Sequence, residues 1–190
     1  MSSHHIVREK QEPALYIHHL GTFDEEYLGQ LLEWSPTLIV SSQDYEKVVS
    51  LGLKVDLVVN SALSDTSFQE NTKIIPVEND SLDAVLDYLI AEKYPAVNLI
   101  DAAATIKLRE LGSYVAKINI VIFTDTEKAY AIKSGFSVWK PKDTVYHIEV
   151  ISYFETSNLK QREDGSFVVI NDGFVEFIFT TPYLFISEML

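Results

Sequence analysis

Along the first two thirds of the chain, short β-branched runs alternate with stretches whose apolar residues recur every three or four positions, the pattern of a parallel sheet covered by helices. Residues 14–20 predict the first strand. Thr22 and Glu25 have capping-box spacing ahead of Tyr27, Leu28, Leu31 and Leu32, one apolar helical face that stops before Pro36. Residues 38–41 predict the next strand. Tyr45, Val48 and Val49 then share a helical face with Gly52 placed as its C-cap, before a strand over 56–59 near the centre of the sheet. Leu82, Val85, Leu86 and Leu89 follow the i, i+3, i+4, i+7 template up to Pro95. A strand over 96–100, a helix over 103–111 closed by Gly112, and a strand over 117–123 complete this part.

Beyond residue 126 the helical period is lost, and 12 of the 22 aromatic residues fall in the last 64 positions, so this part reads as all β. Residues 168–179, broken at Asn171, Asp172 and Gly173, predict a hairpin, and 145–154 a further strand. The fold class is therefore α/β: an N-terminal parallel sheet flanked by helices over 1–125, plus a smaller C-terminal antiparallel β domain over 126–190. So small a β unit with so many aromatics needs a partner surface, which predicts a homodimer through the β domain.

With 190 residues and 47% hydrophobic composition, the chain has the material for a core without staples. The lack of cysteine excludes disulfides and thiolate chemistry and fits a reducing, cytoplasmic setting. No apolar run reaches the length of a membrane span, and a net charge of −13 opposes a nucleic-acid partner. The seven glycines form neither a phosphate loop nor a dinucleotide turn. His18 and His19 are neighbours on a predicted strand and point to opposite faces, while His4, His5 and His147 stand apart, so histidine is given no metal role.

Residues 41–64, SSQDYEKVVSLGLKVDLVVNSALS, resemble without a gap the thiamine pyrophosphokinase pattern in which an Asp-Gly-Gly-Ala turn leads through a helix into "LGIKPDLIIGDFDS". Leu51, Gly52, Lys54, Asp56, Leu57 and Val58 keep that register, and residues 78–83, ENDSLD, resemble the family's "EQDKTD". The resemblance implies diphosphate transfer from ATP to thiamine, with Mg²⁺ held by carboxylates. It also marks where this chain departs. The family's Gly-Asp-x-Asp-Ser becomes Asn60, Ser61, Ala62, Leu63 and Ser64, and its Asp-Gly-Gly becomes Ser42, Gln43 and Asp44. Leu82 replaces a threonine beside Asp83, and the Gly-Gly-Arg-x-Asp-His signature gives way to residues 101–106, DAAATI.

From the resemblance, Ser42, Gln43, Asp44, Asn60, Ser61 and Ser64 are the candidate, degenerate nucleotide-binding residues. Asp80 and Asp83 are the candidate metal ligands; equally, Asp80 suits an N-cap and Asp83 a first-turn acid facing the helix dipole. Asp65 is a possible substitute acid and also an ordinary turn residue. Ser157 and Asn158 resemble the Ser-Asn step near bound thiamine, or make a turn after a strand. Trp139 offers a flat face to a thiamine ring, or to a core or interface. Three functions stay open: a weakly active or inactive thiamine pyrophosphokinase using Mg²⁺ and ATP if active, a non-catalytic thiamine or nucleotide binder, and an assembly protein retaining only the fold.

Overall fold

The computed structural model describes residues 12–60, 68–77, 82–149 and 153–190, without the side chain of Asn60. The first half runs β1 (Ala14–His19), α1 (Glu25–Leu32), β2 (Leu38–Ser41), α2 (Tyr45–Ser50), β3 (Leu57–Asn60), β4 (Lys73–Pro76), α3 (Leu82–Ala91) and β5 (Ala96–Asp101). A 3-10 turn (Leu108–Leu111), α4 (Gly112–Val115) and β6 (Asn119–Phe123) follow. The second half is β7 (Glu127–Ile132), β8 (Phe136–Lys140), β9 (Val145–Glu149), β10 (Phe154–Thr156), β11 (Leu159–Gln161), β12 (Phe167–Val169), β13 (Gly173–Phe179) and β14 (Leu184–Met189).

Among the described residues these strands make two sheets, one in the order β11-β12-β9-β14-β7-β6-β5-β1-β2-β3-β4 and a smaller one in the order β10-β13-β8. From β4 to β6 every neighbouring pair is parallel; from β7 onward every pair is antiparallel. The change falls at the β6–β7 turn, and Val121↔Tyr130 and Ile122↔Ala129 carry one continuous sheet across it.

Strict alternation along the parallel strands divides their side chains between two cores. Leu15, Ile17, Leu38, Val40 and Val58 meet Leu28 of α1 and Tyr45 and Val48 of α2 on one face. Ala14, Tyr16, Ile39, Val97 and Leu99 meet Val85, Leu86 and Leu89 of α3 on the other. Leu86 and Leu89 are fully buried, and each such burial contributes roughly 2 kcal/mol. Because Val121 and Tyr130 share a face, the small sheet stacks on the side of α1 and α2, and Ile132, Tyr146, Val175, Phe177 and Ile186 fill the space between the sheets.

Several expectations are corrected. Asp24 caps α1, its Oδ1 accepting from the amides of Glu26 and Tyr27, while the Thr22 hydroxyl donates to Asp125 across the molecule at 2.6 Å. β3 lies one strand from the edge, because the unanticipated β4 ends the sheet and the centre of its parallel part falls at β1 and β2. No helix starts at residue 103: Ala104 is left-handed (φ 53°), and the Asp101 carboxylate takes the Ile106 amide and Thr105 hydroxyl. Gly112 does not stop a helix but begins α4 with φ −53°.

The predicted hairpin over 168–179 is two strands of different sheets, β12 in the large one and β13 in the small one. Residues 145–154 likewise divide between β9 and β10. The actual hairpin partner of β12 is β11, across a turn where Gly165 is left-handed (φ 86°). Local turn chemistry at Asn171, Asp172 and Gly173 marks a chain reversal without deciding which sheet receives the next strand. No helix among the described residues is long and apolar enough to cross a membrane.

Candidate functional site

The chain leaves β1 toward β2, β3 and β4 on one side and returns to place β5 and β6 on the other, so β1 and β5 flank the point where the topology reverses. In open α/β sheets ligands settle outside the carboxyl ends of the strands at that point. A cleft of about 250 Å³ lies there, lined by His18 and His19 of β1, Ser41 and Gln43 after β2, and Ala103 and Thr105 after β5.

Sequence spacing puts His18 and His19 on opposite faces, yet both line this cleft. Ile17 pairs with Ile100 and His19 with Asp101, so two residues of β1 oppose one step of β5. An extra residue in one strand bends it and re-aims its side chains. His18 Nδ1 sits 3.2 Å from the Tyr16 hydroxyl, and His19 Nδ1 lies 3.4 Å from Asp44 Oδ2. The same Asp44 oxygen accepts from Ser41 Oγ at 3.4 Å. Asp44 occupies the N-cap position of α2 but makes no side-chain cap bond, because its carboxylate turns to the histidine and serine.

Asp101 ends β5 behind the lining residue Thr105. It is fully buried; Oδ2 accepts from Thr105 Oγ1 at 3.0 Å and from the Ile106 amide at 2.8 Å, and Oδ1 has no hydrogen-bond partner among the described residues. Since Thr105 lines the cleft, the buried carboxylate is one hydrogen bond away from it. Close packing holds the two strand ends together: the Ala102 amide bonds His19 O at 2.9 Å, and a Cβ on Gly21 would come within 2.7 Å of Ala102 Cβ.

Of the candidate nucleotide residues, Gln43 and Asp44 therefore belong to the cleft, and Ser42 uses its amide to bond Val59 O at 2.9 Å. Asn60 ends β3; its side chain, with Ser61, Ser64, Asp65 and the candidate metal ligand Asp80, lies outside the described residues. Asp83 is in the first turn of α3. Burial, with the charges of Asp83 and Asp87 added, pushes the nearby Tyr114 hydroxyl above the ordinary phenol range.

Of the two acids that the resemblance assigns to a divalent cation, Asp83 alone falls among the described residues. Among the described residues no three His, Asp or Glu side chains are grouped to hold a metal ion. Asp44 is shared by His19 and Ser41, and Asp101 by Thr105 and an amide.

Ser157 and Asn158 hold the β half together. Ser157 Oγ accepts from the Glu176 amide at 3.1 Å. Asn158, left-handed at φ 58°, donates through Nδ2 to Asn171 O at 2.7 Å and accepts at Oδ1 from the Asn171 amide at 3.0 Å. These bonds pin the crossing from β12 to β13. Trp139 is 54% exposed on the outer face of the small sheet, paired in register with Phe174.

Sequence reasoning missed His19 and Asp101. An acid ending a strand buried on both faces, beside the topological reversal, was the available signal for Asp101; the bulge that turns His19 inward leaves none.

No family model matches the sequence, and no curated protein sequence matches it either. Solved structures do. Thiamine pyrophosphokinase from Bacillus subtilis superposes with a TM-score of 0.69 at 11% identity, covering 94% of this chain and 99% of that one. The yeast enzyme gives 0.67 at 10% identity, over 97% and 88%. That from Geobacillus thermodenitrificans gives 0.64 at 15% identity, over 93% and 97%. Across nearly its whole length, this chain has the fold of the thiamine pyrophosphokinases.

Proposed function

We propose that this protein binds thiamine, or a cation like it, in the switch-point cleft and transfers diphosphate slowly or not at all. The observation that carries the reading is the polarity of the cleft: Asp44 holds its lining residue His19, the buried Asp101 stands one hydrogen bond behind its lining residue Thr105, and among the described residues no lysine or arginine lines it. A triphosphate entering there meets like charge, whereas the permanently cationic thiazolium of thiamine meets its opposite. The replaced acids at Ser61 and Leu63 point the same way, since a hydroxyl and an isobutyl group do not hold a hard divalent ion.

Calorimetry with thiamine, thiamine diphosphate, ATP and Mg²⁺ tests this directly. Thiamine is expected to bind most tightly, and Asp44→Asn to weaken it by roughly tenfold, the size of a lost charge-assisted hydrogen bond. Tighter binding of ATP with Mg²⁺, or turnover near ~1 per second, overturns the reading.

The partner we propose is a second copy meeting the outer face of the small sheet, where Trp139 and its register partner Phe174 lie exposed, with Ile178 beyond Glu176 on the same face. Among the described residues, the cluster of buried side chains lies against the inner face of that sheet. Light scattering should give a dimer that Trp139→Asp converts to monomer; a monomeric native protein at micromolar concentration refutes it.

A further inference from the structure

The opposite face of the large sheet has its own hollow, where the helical layer ends and the antiparallel strands begin. A row of register partners crosses four strands there: Ile122, Ala129, Ser187 and His147. The two middle residues are small, so the floor is low. The loop after β5 forms an apolar wall with Ile106 and Leu108, and the resulting cavity has a volume of about 270 Å³.

The polar side of this hollow is organised by one carboxylate. Glu127 Oε2 accepts from Ser187 Oγ at 2.7 Å and lies 3.4 Å from His147 Nδ1, joining three strands through side chains 60 and 20 positions apart in sequence. Glu149, exposed and paired in register with Phe185, adds a second carboxylate beside an aromatic ring. Lys107 is the lining cation, and its Nζ is turned to Ala104 O at 3.3 Å on the loop. An apolar wall facing two carboxylates suits a flat ligand whose rim carries positive N–H donors.

We propose that this hollow is a binding site, separate from the switch-point cleft, for a small planar organic cation such as an aromatic amidine. The ring would lie against Ile106 and Leu108 over Ala129, with the amidinium toward Glu127 and Glu149. None of the residues lining the cleft takes part; the wall residue Ile106 closes the 101–106 segment that stands in place of the family's Gly-Gly-Arg-x-Asp-His signature.

Amide NMR of the labelled full chain, titrated with benzamidine, tests it. Saturable shifts are expected at Ala129, His147 and Ser187, with a Kd of about 1 mM for so small a ligand. Benzamide, its uncharged isostere, is expected to leave these signals in place. Glu127→Gln should weaken binding about tenfold and Glu149→Gln, on an exposed side chain, about threefold. Absence of saturable shifts in the native chain overturns the proposal, as do equal responses to benzamide or native-like binding by both variants. Excess thiamine should leave the benzamidine shifts unchanged; displacement would overturn the separateness of the two sites, whatever becomes of the cleft reading.

Discussion

Two of the buried carboxylates, Glu188 and Asp101, lie in opposite halves of the molecule and are treated in opposite ways. Glu188 in β14 is 4% exposed and fully engaged: Lys128 Nζ is 3.2 Å from Oε1, the Tyr130 hydroxyl donates to Oε1 at 3.2 Å, and Lys140 Nζ bonds Oε2. Asp101 at the end of β5 is 0% exposed and has one oxygen without a partner among the described residues. A buried charge with its partners in place holds a structure together, whereas a buried acceptor left open is either a cost or a site. The antiparallel half uses its carboxylate to fix the sandwich; the parallel half has a carboxylate with one open oxygen, among the described residues, behind Thr105 of the cleft.

Burial alone would raise the Glu188 pKa, but hydrogen bonding to Lys140 and the charges of Lys128 and Lys140 outweigh it and hold the carboxyl below its usual range. Burial, reinforced by the Glu188 charge, pushes Tyr130 and Tyr146 above the ordinary phenol range. A group whose folded pKa is depressed contributes stability that is present above its unfolded value, ~4.3 for Glu, and lost as pH falls through the folded value.

The largest expected effect separates the two acids. Glu188→Gln leaves two lysines facing a neutral amide and should cost about 3 kcal/mol in denaturant unfolding. Asp101→Asn keeps an acceptor for the Thr105 hydroxyl and the Ile106 amide, so its stability should stay within about 1 kcal/mol of native. Equal losses would break the comparison. Acidification below about pH 4 should destabilise the native protein, and Glu188→Gln should flatten that slope.

Next comes Gly21→Ala, which tests how tightly the reversal point is built. With φ at 47° and a Cβ contact of 2.7 Å to Ala102, the change should cost about 2 kcal/mol. It should also weaken ligand binding in the cleft; an unaffected melting curve and unaffected affinity would mean that β1 and β5 can part freely. The smallest effect belongs to Asn158→Ala, which removes two bonds to the Asn171 backbone and should cost about 1 kcal/mol. If thermal stability is unchanged while thiamine binding falls, Asn158 serves the ligand rather than the crossing between sheets.

Most of the parallel half was legible because its signals are local. Leu28 on α1 and Val85, Leu86 and Leu89 on α3 are buried where the 3.6-residue period put them, since a helix that must cover a sheet needs a continuous apolar stripe. Part of the site was legible too: the register with the family's turn placed Gln43 and Asp44 at the end of β2, where they border the cleft. The 103–112 segment was not, because Asp101, outside it, captures the amide and hydroxyl groups that a helix would use.

By itself, then, the sequence determined most helices and strands of the parallel half apart from β4 and the 103–112 segment, which faces are apolar, and which family acids are replaced, because periodicity, caps and residue identity are properties of neighbours along the chain. Only the tertiary structure decided that β12 and β13 enter different sheets, that a one-residue slip brings His18 and His19 to one cleft, and that, among the described residues, Glu188 is paired while Asp101 keeps an open oxygen. The reason is that strand pairing and buried-charge compensation depend on groups tens of residues away, and a two-residue alternation does not say which strand will arrive beside it.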